Sequence, residues 1–247
     1  MSRDLLESDN PREDIASLIC VESCASYFLF DQVMQWGSDV GPDDPLRKEL
    51  ETYFDTARAA IPHLSLLGPP SLANLQALQF GVSWPPDMIS RFFTLTMHQA
   101  INATEIGDIE AAWRFTSAAS TICYALDLHK NKNPFTGDRS EEALEAFTCF
   151  GFTYMQDKGL AMNLGRPACL QDTYIEEEVF ERSIQEEKRP NLFYQYINLA
   201  RVQSRVITDL HAAGRSAFMD VNAVVTDILR TMDRLWQSMQ EVRSFRA

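Results

Sequence analysis

Alternating runs of β-branched and polar residues are missing from this sequence, so no stretch of it is predicted to form a strand. Nowhere does an uncharged apolar run approach the roughly 20 residues that a bilayer-spanning helix needs. The opening residues, Met1 to Asp9, lack the apolar centre of a secretory signal, which points to the cytosol or the nucleus. Glycine-rich phosphate loops are absent, and so is the Gly-x-Ser-x-Gly elbow of α/β-hydrolases. With only 10 glycines and 11 prolines in 247 residues, the chain is no low-complexity linker, and its 45% hydrophobic content can furnish a core.

Basic charge is scarce as well. Lys and Arg number 22 against 35 Asp and Glu, for a net charge of -13. A field of that sign repels phosphate backbones and excludes an unaided grip on DNA. The later arginines, Arg201, Arg205, Arg230, Arg234, Arg243 and Arg246, stand at helical spacing among acids and apolar residues, the pattern of a solvated helix face. Metal-binding patterns are missing too. Cys20 and Cys24 lie one helical turn apart, but no further pair at zinc spacing completes a set. Cys123, Cys149 and Cys169 bring the cysteines to 5, an odd number embedded in apolar segments, as in reduced intracellular proteins. His63, His98, His129 and His211 are scattered singly, without a His-Glu-x-x-His pair. No metal, cofactor or catalytic residue is assigned.

What is present is helical periodicity from end to end. Asn10-Pro11-Arg12-Glu13 opens a first helix that closes at Gly37, and Asp44-Pro45 opens a second that stops near Pro62. Proline pairs bound a third, Leu72 to Phe80. A fourth is predicted from about Asp87 to Asn102, a fifth from Ile109 to Leu128, and a sixth, capped by Asp138 with Glu141, to about Asn163. After an acidic segment around Glu176 to Lys188 come a seventh, Leu192 to Ala213, and an eighth from Asp220. The eighth carries an apolar stripe of Val221, Val225, Ile228, Met232, Leu235, Met239 and Val242, and needs a partner or a further segment to cover it. The expectation is an all-α fold: one domain over 1–247 with about eight helices and short connections. Aromatics, among them Phe92, Phe93, Trp113, Phe115, Phe147, Phe150 and Phe152, fill its core or line an apolar cavity. Asp127 with His129, and Tyr154 with Asp157, are the nearest things to acid–base pairs.

One ordered set of residues rises above this background. Ala112-Trp113, Ala119, Leu126, Leu128 and His129 are followed by Phe150, Tyr154, Asp157, Leu160 and Leu164-Gly165-Arg166-Pro167. In order, spacing and helix placement this resembles the central regulatory domain, or middle homology region, of fungal zinc-cluster transcription factors. That family runs there from Ala-Trp to Leu-Gly-Leu-His, then through Arg-Arg-x-Phe-Trp-x-x-Tyr-x-x-Asp-Arg to Gly-Arg-Pro. Upstream, Ser71-Leu72 with Leu75-Gln76-Ala77 looks like the family's first helix, and Asn198-Leu199-Ala200 with Leu235-Trp236 looks like its later part. The family-like core thus covers 70–236, after an N-terminal helical part over 1–69 and before the end of the last helix at 237–247. The copy is divergent. The paired arginines fall on Phe147 and Thr148, the tryptophan on Gly151, a small glycine of the Trp-to-His helix on Ser117, and the glycine before Leu-His on Asp127. The six-cysteine cluster and the coiled coil that accompany the domain are not in this sequence.

Physical sense attaches to the motif directly. Gly165 suits the left-handed residue past a helix end, and Pro167 keeps the helix from resuming. Arg166 is then expected to reach back to Asp157 or to the last carbonyls of the helix. The resemblance implies a regulatory domain that controls transcription in the nucleus through a small apolar effector or a protein partner, a homodimer being one form. DNA would be contacted only through a zinc cluster upstream. Trp113, His129, Tyr154, Asp157, Gly165, Arg166 and Pro167 are its candidate residues, open to a structural or a ligand-binding role. The rival reading is a cytoplasmic, free-standing relative acting as an enzyme or small-molecule-binding protein in fungal secondary metabolism. A third is an interaction protein that docks through its last helix.

Overall fold

The computed structural model describes residues 11–36, 44–60, 63, 70–79, 109–130, 141–180, 192–211 and 220–244. Among them are helices and turns and no strand, so the fold is all-α. The helix predicted over 87–102, with Phe92, Phe93 and His98, lies outside the described residues, as do Asp138 and the end of the predicted seventh helix at Ala213.

Helix α1 (Pro11–Trp36) begins on its proline, where the missing amide costs nothing. Helix α2 (Pro45–Ala60) is capped by Asp44, whose carboxylate accepts the Leu46 amide at 2.8 Å. The two helices pack together, burying Ala16 and Ile19 of α1 and Ala57 and Ala60 of α2. Ser71 caps α3 (Leu72–Gln79) by accepting the Asn74 amide at 3.1 Å. Short as it is, α3 touches α1, α4 (Ile109–Ala125) and α5 (Glu141–Leu164). Its Gln79 side chain donates to the Cys149 carbonyl of α5 at 2.6 Å and to the Thr153 hydroxyl, and Gln76 donates to Glu145.

Helix α5 is the hub. It contacts α3, α4 and α6 (Leu192–Arg205), and Phe150, Thr153, Tyr154, Asp157 and Lys158 along it are almost wholly buried. Against α6 the approach is set by Gly151: a Cβ there would stand 2.6 Å from Phe193 Cζ and 2.9 Å from Ile197 Cδ1. Phe193 in turn meets Phe152 and Phe147 edge to face, with centroids 5.2 and 6.0 Å away. At the position where the resembled family carries tryptophan, α5 thus leaves room that a ring from α6 fills.

Two predicted boundaries move. Helix α4 stops at Ala125 rather than Leu128, because Asp127 takes a left-handed φ of 57° and the Leu128 amide turns back to the Cys123 carbonyl at 3.0 Å. Helix α6 gives way at Val206 to a π-helical turn, Val206–His211, where the Thr208 hydroxyl bonds the Ser204 carbonyl at 3.0 Å. Asp220 then caps α7 (Val221–Ser244) by accepting the Asn222 and Ala223 amides at 3.0 and 3.2 Å. Helix α7 packs on α6 and is tied to it by Arg205, which lies 2.9 Å from Asp227. Of its predicted stripe, among the residues whose side chains are described, only Ile228 is buried; Val221 and Met232 are exposed.

Candidate functional site

The segment that follows α5 is a strap, residues 165–176, which doubles back across α4 and α5 and engages Trp113, His129, Tyr154 and Asp157 of the motif. It starts with a helix stop. Gly165 holds φ at 63°, and the Arg166 amide reaches the Ala161 carbonyl at 3.2 Å, the closing bond of a left-handed helix end. Pro167 then directs the chain back along the helix it has just left.

At its first station the strap is fastened to the start of α4. Both arms of the Arg166 guanidinium engage the Glu110 carboxylate, Nη1 at 3.2 Å from Oε2, and its Cζ lies 4.8 Å from the Trp113 ring centroid. The expected pairing of Arg166 with Asp157 is therefore not made. Past Gly165 the arginine points out toward α4, whereas Asp157 sits two turns back on the buried face.

Asp157 serves the second station. Its Oδ1 accepts the Cys169 amide at 2.7 Å and its Oδ2 the Leu170 amide at 2.9 Å, so one carboxylate satisfies two strap amides that no helix or sheet can reach. Next to it Lys158, only 1% exposed, donates to the Leu170 carbonyl and lies 3.0 Å from Asp172 Oδ1 and 3.7 Å from Asp157 Oδ2. The Tyr154 hydroxyl donates to the same Asp172 oxygen at 3.1 Å, and the Lys158 ammonium stands 4.9 Å from the Tyr154 ring centroid. A buried cation is thus matched by one buried and one half-exposed carboxylate. On the α4 side the Cys169 thiol donates to the Ser117 hydroxyl at 3.3 Å, and the Tyr124 hydroxyl accepts the Gln171 amide at 2.9 Å.

The third station is His129, in the turn after α4. Its carbonyl accepts the Glu176 amide at 3.0 Å, and its ring meets Tyr124 edge to face at 4.9 Å. Its Nδ1 is buried without a hydrogen-bond partner.

Burial governs the electrostatics. It pushes the Asp157 carboxyl up from the usual carboxylate range, against the opposing pull of the Cys169 amide and Lys158. Burial also raises the Tyr154 phenol, with Asp172 adding to it, and lowers the His129 imidazolium, with Lys130 adding to that. Cys123 is pushed up to about 12 and Cys149 well above its ordinary value, so both are inert core thiols.

Trp113, Tyr154, Asp157, Gly165, Arg166, Pro167 and His129 accordingly belong to one structure, distributed along the strap. The two acid–base pairings open to the sequence are not formed: Tyr154 bonds Asp172, and Asp127 pairs with Lys130 at 2.7 Å. Sequence reasoning missed Lys158, Asp172, Glu110, Ser117 and Tyr124. Lys158 alone left a signal, standing four residues after Tyr154 on the face whose periodicity marks it as buried. Among the described residues no group of three or more His, Cys, Asp and Glu is arranged to hold a metal ion. His63 is exposed, and the side chains of Cys24 and His211 lie outside the described residues. No described helix is long and apolar enough to cross a membrane. No family model, no curated protein and no solved structure matches the chain.

Proposed function

We propose that the chain is a regulatory domain of the kind found in fungal zinc-cluster transcription factors, acting in the nucleus by binding an effector or a protein rather than by chemistry on a substrate. The strap is the observation that carries this reading. Tyr154, Asp157, Lys158 and Arg166 are each engaged by other groups of the chain, so the motif's polar groups fasten a segment instead of facing a substrate. A strap held at separate polar stations has a docked and a released arrangement, and a ligand with different affinity for the two shifts their populations. The backbone at Asp127 supports the resemblance, because its left-handed φ stands where the family has glycine.

A tethering assay tests the proposal. Fused to a heterologous DNA-binding domain in a fungal reporter strain, the chain should change reporter output several-fold relative to the DNA-binding domain alone, and Asp157→Ala should abolish the change at equal protein level. Reporter output indistinguishable from the DNA-binding domain alone, with the fusion present in the nucleus, counts against the regulatory reading. On its own the chain should show no sequence-selective band in a DNA gel-shift assay, since base-reading and phosphate-gripping elements are both wanting.

A further inference from the structure

We propose that Thr173, on the outer half of the strap, is a phosphate acceptor for an acid-directed serine/threonine kinase, and that the phosphate keeps the strap's outer end off the turn at His129. This rests on the reading that the strap has a docked and a released arrangement, and not on the family resemblance. Thr173 lies in a short 3₁₀ turn, Asp172–Tyr174, with extended backbone on either side at Gln171 and Ile175. It is exposed, and among the described residues its hydroxyl has no hydrogen-bond partner. Glu176, Glu177 and Glu178, all exposed, stand three, four and five residues further on. A kinase whose cleft is lined by Lys and Arg finds in this order a hydroxyl to react and a run of carboxylates to hold. The chain's net charge of -13 draws such a cleft toward it.

Other exposed hydroxyls lack part of this arrangement. Thr52 has Asp55 three residues on, but it sits inside α2 and donates to the Lys48 carbonyl at 2.8 Å. Thr121 and Thr226 are likewise helical and bonded, to the Ser117 and Asn222 carbonyls, and the third residue after each is Tyr124 or Leu229. A hydroxyl lines up with the transferred phosphorus only when its backbone enters the kinase cleft, and a backbone held in an intact α-helix cannot extend into one.

Thr173 is reached by way of release. A cleft that reads Glu176 must also accept Ile175, which is 8% exposed, and must take the Glu176 amide from the His129 carbonyl that it meets at 3.0 Å. In the transfer the Thr173 hydroxyl oxygen bonds to the γ-phosphorus of MgATP as the bond to the β–γ bridging oxygen breaks. ADP leaves, and the hydroxyl proton passes to a carboxylate of the kinase. The product adds about two negative charges at neutral pH. They fall beside Asp172, one oxygen of which already serves Lys158 at 3.0 Å and Tyr154 at 3.1 Å, and close in sequence to Glu176 and to Glu177, which Arg201 already pairs. Like charges then oppose the reseating of Ile175 and Glu176. The modified strap stays open at its outer end while Asp157 keeps hold of Cys169 and Leu170.

Incubation of the full chain with MgATP and a purified kinase that requires a carboxylate three residues past the acceptor tests this, with the modified residue mapped by mass spectrometry. Phosphate is expected on Thr173 and should be missing from that segment in Thr173→Ala. Glu176→Gln should lower the rate about tenfold, because it removes the carboxylate that the cleft reads and leaves the backbone amide in place. Hydrogen exchange should show the Ile175 and Glu176 amides exchanging about tenfold faster in the phosphorylated chain, with those of Cys169 and Leu170 changed much less. A Thr173 that stays unmodified, whether or not phosphate appears on Thr52 or elsewhere, overturns the proposal. So does a Glu176→Gln chain modified as fast as the parent, or a phosphorylated chain whose Ile175 and Glu176 amides exchange as before. Neither readout involves transcription, so an inert reporter fusion leaves the phosphate on Thr173 standing, and an unmodified Thr173 leaves a reporter response standing.

Discussion

Asp127 and Gly165 hold the same left-handed backbone, φ 57° and 63°, each just before the amide that closes its helix, α4 or α5. In each case the next amide, that of Leu128 or Arg166, reaches back to close the helix, onto the carbonyl of Cys123 or Ala161. Only the glycine holds that conformation without a steric cost. Gly165→Ala should therefore lose about 1 to 2 kcal/mol in urea unfolding, the penalty of a Cβ in the left-handed region. Asp127→Gly should keep or raise the melting temperature, because relief of backbone strain opposes the loss of the exposed pair with Lys130. A melting temperature that falls as far for Asp127→Gly as for Gly165→Ala would refute the equivalence.

Arg166 and Asp157 hold different stations, which a double-mutant cycle can separate. Arg166→Ala and Glu110→Ala should each lower the melting temperature slightly, and the double variant should fall no further than the larger single effect. Asp157→Ala should cost about 3 kcal/mol, since it strands one buried and one part-buried amide and removes a carboxylate beside a buried ammonium. Combined with Arg166→Ala its effect should be additive. Strong coupling between Arg166 and Asp157 would mean that the two residues share one anchor.

Gly151 is constrained by space alone. Gly151→Ala sets a methyl group against Phe193 and Ile197 and should destabilise the chain by about 1 to 3 kcal/mol, the usual cost of overpacking. Phe193→Leu in the same chain should recover part of that loss, although by itself it removes ring contacts with Phe147 and Phe152. If Gly151→Ala melts like the parent, α5 and α6 are further apart than described.

His129 makes stability depend on pH. Burial holds its folded value below the ordinary imidazole value, so the folded chain favours the neutral ring. Its contribution is complete above the unfolded value of about 6.5 and is lost as the pH falls through the lower folded value. Melting temperatures should drop between about pH 7 and pH 5, and His129→Phe should flatten that drop. An unchanged slope in His129→Phe would assign the dependence to other groups.

The helices were legible because their signals are local. Pro11, Asp44, Ser71 and Asp220 stand at or just before helix starts and do there what proline and short polar side chains do, namely omit an amide or cap one. The helix stop at Gly165 was legible for the same reason. The partner of Arg166 was not, because Glu110 lies 56 residues earlier and its approach depends on how α4 is rotated against α5. Periodicity gives the buried face of a helix but not the neighbour that the face meets. The extent of α4 was misread because the apolar residues Leu126 and Leu128 carry the helical pattern past Asp127, a residue that tolerates the left-handed region.

The strap's fastenings close very different lengths of chain. Asp157 reaches Cys169 and Leu170 across 12 and 13 residues, Tyr124 reaches Gln171 across 47, and Glu110 reaches Arg166 across 56. Closing a short loop costs less entropy than closing a long one, so the hairpin of α5 and the inner strap can assemble before α4 arrives. The same hierarchy runs in reverse when the segment opens. The Glu176 amide, held by the distant turn at His129, should exchange with solvent before the amides of Cys169 and Leu170, which α5 itself holds. The strap is therefore graded, with local anchors on α5 and distant ones on α4, and an opening of the distant anchors need not disturb the carboxylate at its centre.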